Sequence, residues 1–509
     1  MSFSLTAALG VATGGLSVIN QDFAVISQNV ANAQTAGYAT EQTTQSDLDV
    51  DGQGLGVAAG PTQLLQDIPL QNQLNAQNAT AAGAQVTDSA LSALQPVLGS
   101  VGASNDLGSL LGAVQTGFSA LLNDPSSQPQ QEAVVNAAQA LTTQINTLSG
   151  AYGQARQNAQ NALGQDVTTL NTALATIGAL STQIVALQAQ GLSTADLQNQ
   201  RNAQAATISG LVSANFVTLP NGGMQVFTSN GAVLPTDGQT TLSIASAQTG
   251  PSLYYPGGRL PGIMLGGTDI SSQMGGGAIG AALTLRDTTL PTYQASLDEF
   301  SDNLATRFQA QGLTLFSDGQ GNVPVSTSAP VQSGYLGFSS VITVNPAVVA
   351  TPSLVRDGTQ AVAGSASGAS AFTPNPNGEA GFNTLIERVL NYALGTQAQA
   401  GVPQPAGASS GLGAAGTLAT SYDFTGALGD YANALTSSQS ADSATATSAS
   451  TEAGDAQTAL NANLQAKTGV SMDSQLSLMV QLQNAYGANA KIVSTIQQMY
   501  TALLNAVQG

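Results

Sequence analysis

Leu5, Leu9, Ala12, Leu16, Ile19, Phe23, Ile26 and Val30 are spaced alternately four and three residues apart. That 3.5-residue period is the seam of a helix packed lengthwise along other helices. Met479, Leu482, Tyr486, Asn489, Val493, Ile496, Tyr500, Leu503 and Val507 repeat the spacing at the other end. A polar Asn489 inside the seam sets register at some cost in stability. The chain is therefore predicted to begin and end in coiled-coil helices. Either they dock on the chain's own body, or the two ends pair and face neighbouring subunits.

Composition removes most chemistry. The chain has 509 residues with no Cys and no His, which excludes disulfides, thiolate metal sites, a Ser-His-Asp triad and His-ligated zinc. Nine Lys and Arg face 28 Asp and Glu for a net charge of −19, which repels phosphate backbones, so no nucleic-acid partner is expected. Charged residues are only 7 %, so Gln, Asn, Ser and Thr must cover the surface. No contiguous apolar run reaches the ~18 residues of a membrane span, and no membrane insertion is expected. The first Lys or Arg is Arg156, which leaves the start without the basic region of a cleaved signal peptide.

The first helix is punctuated by Asn29-Val30-Ala31-Asn32-Ala33-Gln34-Thr35-Ala36-Gly37-Tyr38, where Asn side chains can satisfy backbone groups and Gly37 can take a positive φ. Asn29, Asn32, Thr35, Gly37 and Tyr38 together resemble the N-terminal signature of the flagellar axial family, the rod, hook and hook-associated proteins. The run Leu482–Lys491 is similar to that family's closing motif. Further segments resemble the hook-associated members at the hook–filament junction. These are Leu122–Ser127 with Gln131–Ile145, Asp196–Asn202, Gly276–Gly280 with Arg286-Asp287 and Leu290-Pro291, and Gly469–Asp473. Ser474 and Gln475 stand where the family usually has paired acids.

The fold expected is mainly α with β insertions: terminal N- and C-terminal coiled-coil helices, a long antiparallel helical bundle and small inserted β domains, in an elongated multi-domain body. Leu163, Val167, Leu170, Leu174, Ile177 and Ile184 extend a heptad spacing, so about 130–190 reads as long antiparallel helices. Short β runs at 216–219, 224–227 and 241–244 are parted by Gly-rich turns. The division expected is an axial helix at 1–40, an extended linker then the bundle at 41–212, and a small β insertion at 213–277. A returning helix at 278–312, a second β- and loop-rich insertion at 313–379, a helical return at 380–466 and the axial helix at 467–509 complete it. Asp124 and Pro125 are read as N-cap and first residue of a helix, and the Ala-rich run Ser437–Gly454 as helical filler.

Candidate sites reduce to structural ones. Asp47, Asp49, Asp51 and Gly52 match the first half of a calcium loop, but its twelfth position is Ala58, so a solvated acidic turn is expected. Asp298, Glu299 and Asp302 could be glycosidase carboxylates, but they lie early in a predicted helix, where acids suit the dipole. Gly275–Gly280 lacks the Lys of a phosphate loop and reads as a flexible helix entry. Tyr254-Tyr255 beside Arg259 reads as a packed β-domain edge. No catalytic, cofactor-binding or metal site is expected, and the chain is not expected to be an enzyme.

The resemblance implies a structural subunit of the bacterial flagellum at the hook–filament junction, a ring of copies required for filament assembly. It implies as partners other copies, the hook protein, the second hook–filament junction protein, and a cytoplasmic export chaperone on the C-terminal helix at 470–509. It also implies an extracellular location reached by type III export without a cleaved signal. Two alternatives stay open: another axial protein (hook or distal rod), or an extracellular adhesin or hydrolase using the β insertions.

Overall fold

A computed structural model describes residues 5–50, 53–325 and 331–508, with side chains described except at 50, 53–55, 331, 507 and 508. Helix α1 (Leu5–Asn32) ends in a turn whose Gly37 has φ +75°, and the chain enters an antiparallel hairpin, β1 (Glu41–Val50) and β2 (Gln53–Leu64). The linker expected from residue 41 is therefore a hairpin at its start. Its Gln-, Thr-, Ser- and Asp-rich first strand lacks the apolar alternation that marks a half-buried strand.

The body opens with α2 (Ile68–Ser92), capped by Asp67, then α3 (Gln95–Leu98) and α4 (Leu107–Asn123), capped by Asp106. The region expected as several antiparallel helices is one rod, α5 (Gln128–Gln188), of 61 residues, and its antiparallel neighbours come from elsewhere in the chain. Asp124 closes α4, and Ser127 with Pro129 opens α5, displacing the Asp124–Pro125 reading by one turn. Helix α6 (Ala195–Leu211) returns alongside.

Two antiparallel three-stranded sheets follow. One is β3 (Ala214–Thr218), β4 (Met224–Thr228) and β5 (Val233–Leu234); the other is β6 (Leu242–Ser243), β7 (Met264–Leu265) and β8 (Thr268–Asp269). They bury Val226, Leu234, Leu242 and Ile263 over Leu163, Leu170 and Ile177 of α5. Then α7 (Gly277–Thr284) runs through a π-helical turn, Leu285–Thr289, into α8 (Leu290–Ala310). The entry to α7 is tight rather than flexible. A Cβ at Gly277 would lie 2.5 Å from the Leu211 carbonyl, so only glycine lets α7 cross α6 there.

The described part of the stretch after α8 holds the two-residue strands β9 (Phe316–Ser317) and β10 (Thr343–Val344), two 3-10 turns and the short helices α9 (Pro346–Ala350) and α10 (Leu354–Asp357). After α11 (Thr384–Arg388) come two small hairpins, β11 (Gln397–Gln399) with β12 (Val402–Pro403) and β13 (Ser410–Leu412) with β14 (Leu418–Ala419). The helical return expected over 380–466 is thus helical mainly from α12 (Leu428–Thr468), which includes the Ser437–Gly454 run. The body core joins Leu141, Ile145 and Leu148 of α5 to Phe118, Phe300, Phe308 and Tyr431, with Phe308 edge-on to Phe316 at 5.1 Å. The last helix is α13 (Met472–Gln508).

Among the described residues two helices, α1 and α5, are long and apolar enough to cross a bilayer by length and composition. Ala, Gly and Thr raise their hydropathy without any contiguous apolar run. In the folded chain α5 is the spine of the body, with Leu, Ile and Val inward and Gln, Asn and Thr outward.

Five buried guanidiniums hold the body's loops through main-chain carbonyls. Arg156 donates to Arg286, Gly250 and Leu253; Arg201 to Gly222; Arg286 to Pro261; Arg307 to Gly426; Arg388 to Gln311 and Ser370.

Candidate assembly interface

The two ends of the chain form one unit. Helix α13 runs antiparallel to α1: Thr6 Oγ1 lies 3.0 Å from the Tyr500 hydroxyl, and Asn29 lies 3.3 Å from Gln475 at the other end. Midway, Asn489 sits over Gly15, where a Cβ would be 3.3 Å from its amide nitrogen. Gly15 thereby gives the seam Asn its place. The hairpin packs on α1 as well, with Gly56 against Val11, the Val57 carbonyl against Gly14, and Gln21 donating to the Gly60 carbonyl at 3.2 Å.

The N-terminal seam is well covered by these partners: Ala12, Ile19 and Ile26 are buried, and Leu5, Leu9, Leu16, Phe23 and Val30 half-buried. The C-terminal seam is covered much less. Ile496 is buried and Met479, Leu482, Asn489, Val493 and Tyr500 are half-buried, while Tyr486 and Leu503 are exposed. The Val507 side chain lies outside the described residues. Beside the seam, α13 exposes Leu478, Ile492, Met499 and Leu504.

The signature residues make the joint between this unit and the body. Asn29 is 1 % exposed. Its Nδ2 donates to the Glu41 carbonyl at 2.9 Å and to Gln475 Oε1, and its Oδ1 accepts from the Glu41 N–H at 2.9 Å and the Tyr38 hydroxyl at 3.1 Å. One side chain thus holds the end of α1, the start of the hairpin and the start of α13. Asn32 works locally, donating to the Gln28 carbonyl and accepting from Thr35. From the body, Asn199 of α6 clamps the same segment, accepting from the Ala39 N–H at 2.9 Å and donating to its carbonyl at 3.1 Å. Thr40 bonds the Thr468 and Gly469 carbonyls, and Lys467 pairs with Asp67 at 2.7 Å. Burial raises the Glu41 carboxyl, opposed by the Asn199 hydrogen bond, and burial with the adjacent Glu41 raises the Tyr38 hydroxyl.

Sequence reasoning found Asn29 and Tyr38 but not what they hold. Gln475, noted only as a departure from paired acids, is the buried partner of Asn29, and Asn199 within Asp196–Asn202 is the clamp on Ala39. An Asn29→Ala chain orphans the Glu41 N–H, a loss of about 1–3 kcal/mol. Hydrogen exchange at the Glu41 amide should rise accordingly. Asn32→Ala, which breaks only bonds within one turn, should leave that amide unchanged.

The other candidates are structural. Asp298 accepts from the N–H groups of Gly337 and Ser339 at 2.8 and 3.1 Å, and Glu299 accepts from the Tyr335 hydroxyl and the Ala408 N–H, so both tie loops to α8. Burial pushes Asp298 up to about 6, and burial with the Glu299 carboxylate pushes Asp302 up to about 7. A carboxyl raised on folding stabilises below the ordinary range of about 4, and that contribution is lost as pH rises through the folded value. The melting temperature should therefore fall from pH 4 to pH 8, and Asp302→Asn should flatten that fall while changing little at pH 4. Asp47 and Asp49 lie on β1, and Asp51 and Gly52 are outside the described residues. Tyr255 is packed inward, donating to Asp269 at 3.1 Å under the Arg286 guanidinium.

The family model described as the flagellar hook-associated protein FlgK helical domain matches residues 91–322, which run from the end of α2 to the loop after β9. The model for the C-terminal region of flagellar basal body rod FlgEFG proteins matches 465–506, the end of α12 and most of α13. Flagellar hook-associated protein 1 of Escherichia coli (strain K12) is 23 % identical over 97 % of this chain and 98 % of its own length. The chain is similar to flagellar hook-associated protein 1 along nearly its whole length. The same-named protein of Bacillus subtilis (strain 168) is 25 % identical over 44 % of this chain, and that match spans about half of the relative, 46 %. The solved flagellar hook junction protein FlgK from Burkholderia pseudomallei is 26 % identical over 50 % of this chain and 45 % of that chain, with a TM-score of 0.40. The two family models meet at the joint: one supplies Asn199, the other Gln475.

Proposed function

We propose that this chain is a structural subunit of the hook–filament junction, assembled by burying the uncovered faces of its paired end helices against other copies. The chain is a hook-associated structural protein of the flagellum. The observation that carries the assembly reading is the exposed apolar face of α13, with Ile492, Met499, Leu503 and Leu504 each about half or more exposed on a helix already paired along its seam. Covering each such side chain gains about 1.5–3 kcal/mol, which is realised only in an assembly. The assembly seam residues, from Leu5 to Val30 and Met479 to Val507, are assigned this role, and the joint at Asn29 and Asn199 would set the angle between unit and body.

Within the same reading the partners are further copies in a ring, the hook protein on one side and the second junction protein on the other. A cytoplasmic chaperone would shield 470–509 before export, since an apolar helix of this kind invites aggregation. Export would proceed without cleavage of a signal peptide, and the chain would have no catalytic activity and would not insert in a membrane. The test is deletion of the chain's gene in its host. The expected result is normal growth, no filaments, and flagellin released to the medium; filaments of normal number would overturn the proposal.

A further inference from the structure

The cations are distributed very unevenly. Of the nine Lys and Arg, Arg156, Arg201, Arg286, Arg307 and Arg388 are buried, Arg356 pairs with Asp357, and Lys467 pairs with Asp67. Among the described Lys and Arg residues, only the side chains of Arg259 and Lys491 have no ion pair or hydrogen bond, and Lys491 stands exposed on α13. With a net charge of −19 per copy, two copies repel on average, and of these two cations Lys491 is the one that lies on the paired end helices.

The architecture puts one acid at the same height. Asp47 of β1 stands opposite Val57 of β2, the Val57 carbonyl lies against Gly14, and the next residue, Gly15, lies against Asn489. Lys491 is two residues further along α13, about 3 Å of rise. Asp47 and Lys491 therefore occupy one level of the unit, yet they form no ion pair within the chain. Each has an exposed apolar neighbour, Leu48 at 47 % and Ile492 at 48 %.

We propose that Lys491 and Ile492 of one copy dock on Asp47 and Leu48 of the copy beside it, at equal height, as the lateral contact between subunits. This rests on the assembly reading and adds the register. A single exposed ion pair contributes little energy, so its effect is selective: a copy slipped along the axis would set uncharged residues of α13, rather than Lys491, opposite Asp47 and lose the contact.

The natural chain has no Cys, so disulfide mapping has no background. Two chains, Asp47→Cys and Lys491→Cys, are expressed together in a strain lacking its own copy, and isolated hook–filament junctions are oxidised. A disulfide forms only when Cα atoms come within about 7 Å. The expected product is a disulfide-linked pair of one of each chain on a non-reducing gel, absent when either variant is expressed alone. Filamented cells whose junctions give no such pair, or in which the cysteines link to a different protein, would overturn the contact while leaving the assembly reading standing. Should the Cys variants fail to assemble, Asp47→Lys combined with Lys491→Asp must restore filaments better than either change alone, and its failure overturns the contact as well. A wild-type chain that never enters the junction would instead bring down the assembly reading, and the contact with it.

Discussion

A chain lacking residues 1–40 and 469–509 is expected to keep a folded body and to lose filament assembly completely. Both hydrophobic cores are built from residues between Leu91 and Ala446, and no described side chain of α1 or α13 belongs to either. The helices removed pack on each other and on the hairpin, and reach the body through a small set of polar contacts at Asn29, Asn199 and Thr40. Circular dichroism should show loss of helix equal to the residues removed, with the unfolding midpoint of the remainder nearly unchanged. Cells making the trimmed chain should carry no filaments, since the apolar faces proposed to drive association are gone. A body that melts without its ends would contradict this division.

The second large effect is expected at Arg286. It is fully buried, holds Asp287 through two nitrogens at 2.7 Å each, and donates to Gln160 at 2.7 Å and to the Pro261 carbonyl at 2.9 Å. Burial lifts the Asp287 carboxyl above its ordinary range even beside this guanidinium. Arg286→Met leaves a buried carboxylate without its partner, and breaking such a pair costs about 3–5 kcal/mol. The double change Arg286→Met with Asp287→Leu should recover most of the loss, because the uncompensated charge is gone. Urea unfolding of the two chains decides it, and a single-variant loss under about 1 kcal/mol would show the pair to be solvated. Since the pair sits in the π-helical turn between α7 and α8, the loosened region should be the loop around Pro261.

Both seams could be read in the sequence because their apolar spacing is local and periodic, and the helical body likewise. The hairpin could not, because Gln45, Ser46 and Asp47 form a polar strand held by its neighbour α1 rather than by an apolar face. Nor could the unbroken length of α5. Its glycines look like interruptions, yet a Cβ at Gly178 would lie 1.7 Å from the Thr236 carbonyl, so that glycine seats a β-domain loop against the helix. The joint was half legible. Asn29 stands out as helix punctuation, but its partners Glu41 and Gln475 lie 12 and 446 residues away, and nothing local marks them. The burial of Arg286 was hidden for the same reason: its ring of acceptors comes from three separate segments.

The end helices are only partly covered in the single chain, and the proposed assembly would cover them with other copies. Hydrogen exchange resolved by segment measures this directly, comparing the purified free chain with isolated hook–filament junctions. In the free chain, 5–32 and 472–508 should exchange far faster than α5 and α8, because little of α13 is buried, and in the junction both segments should become as protected as the body. End helices already as protected in the free chain as α5, with no further slowing in the junction, would contradict it.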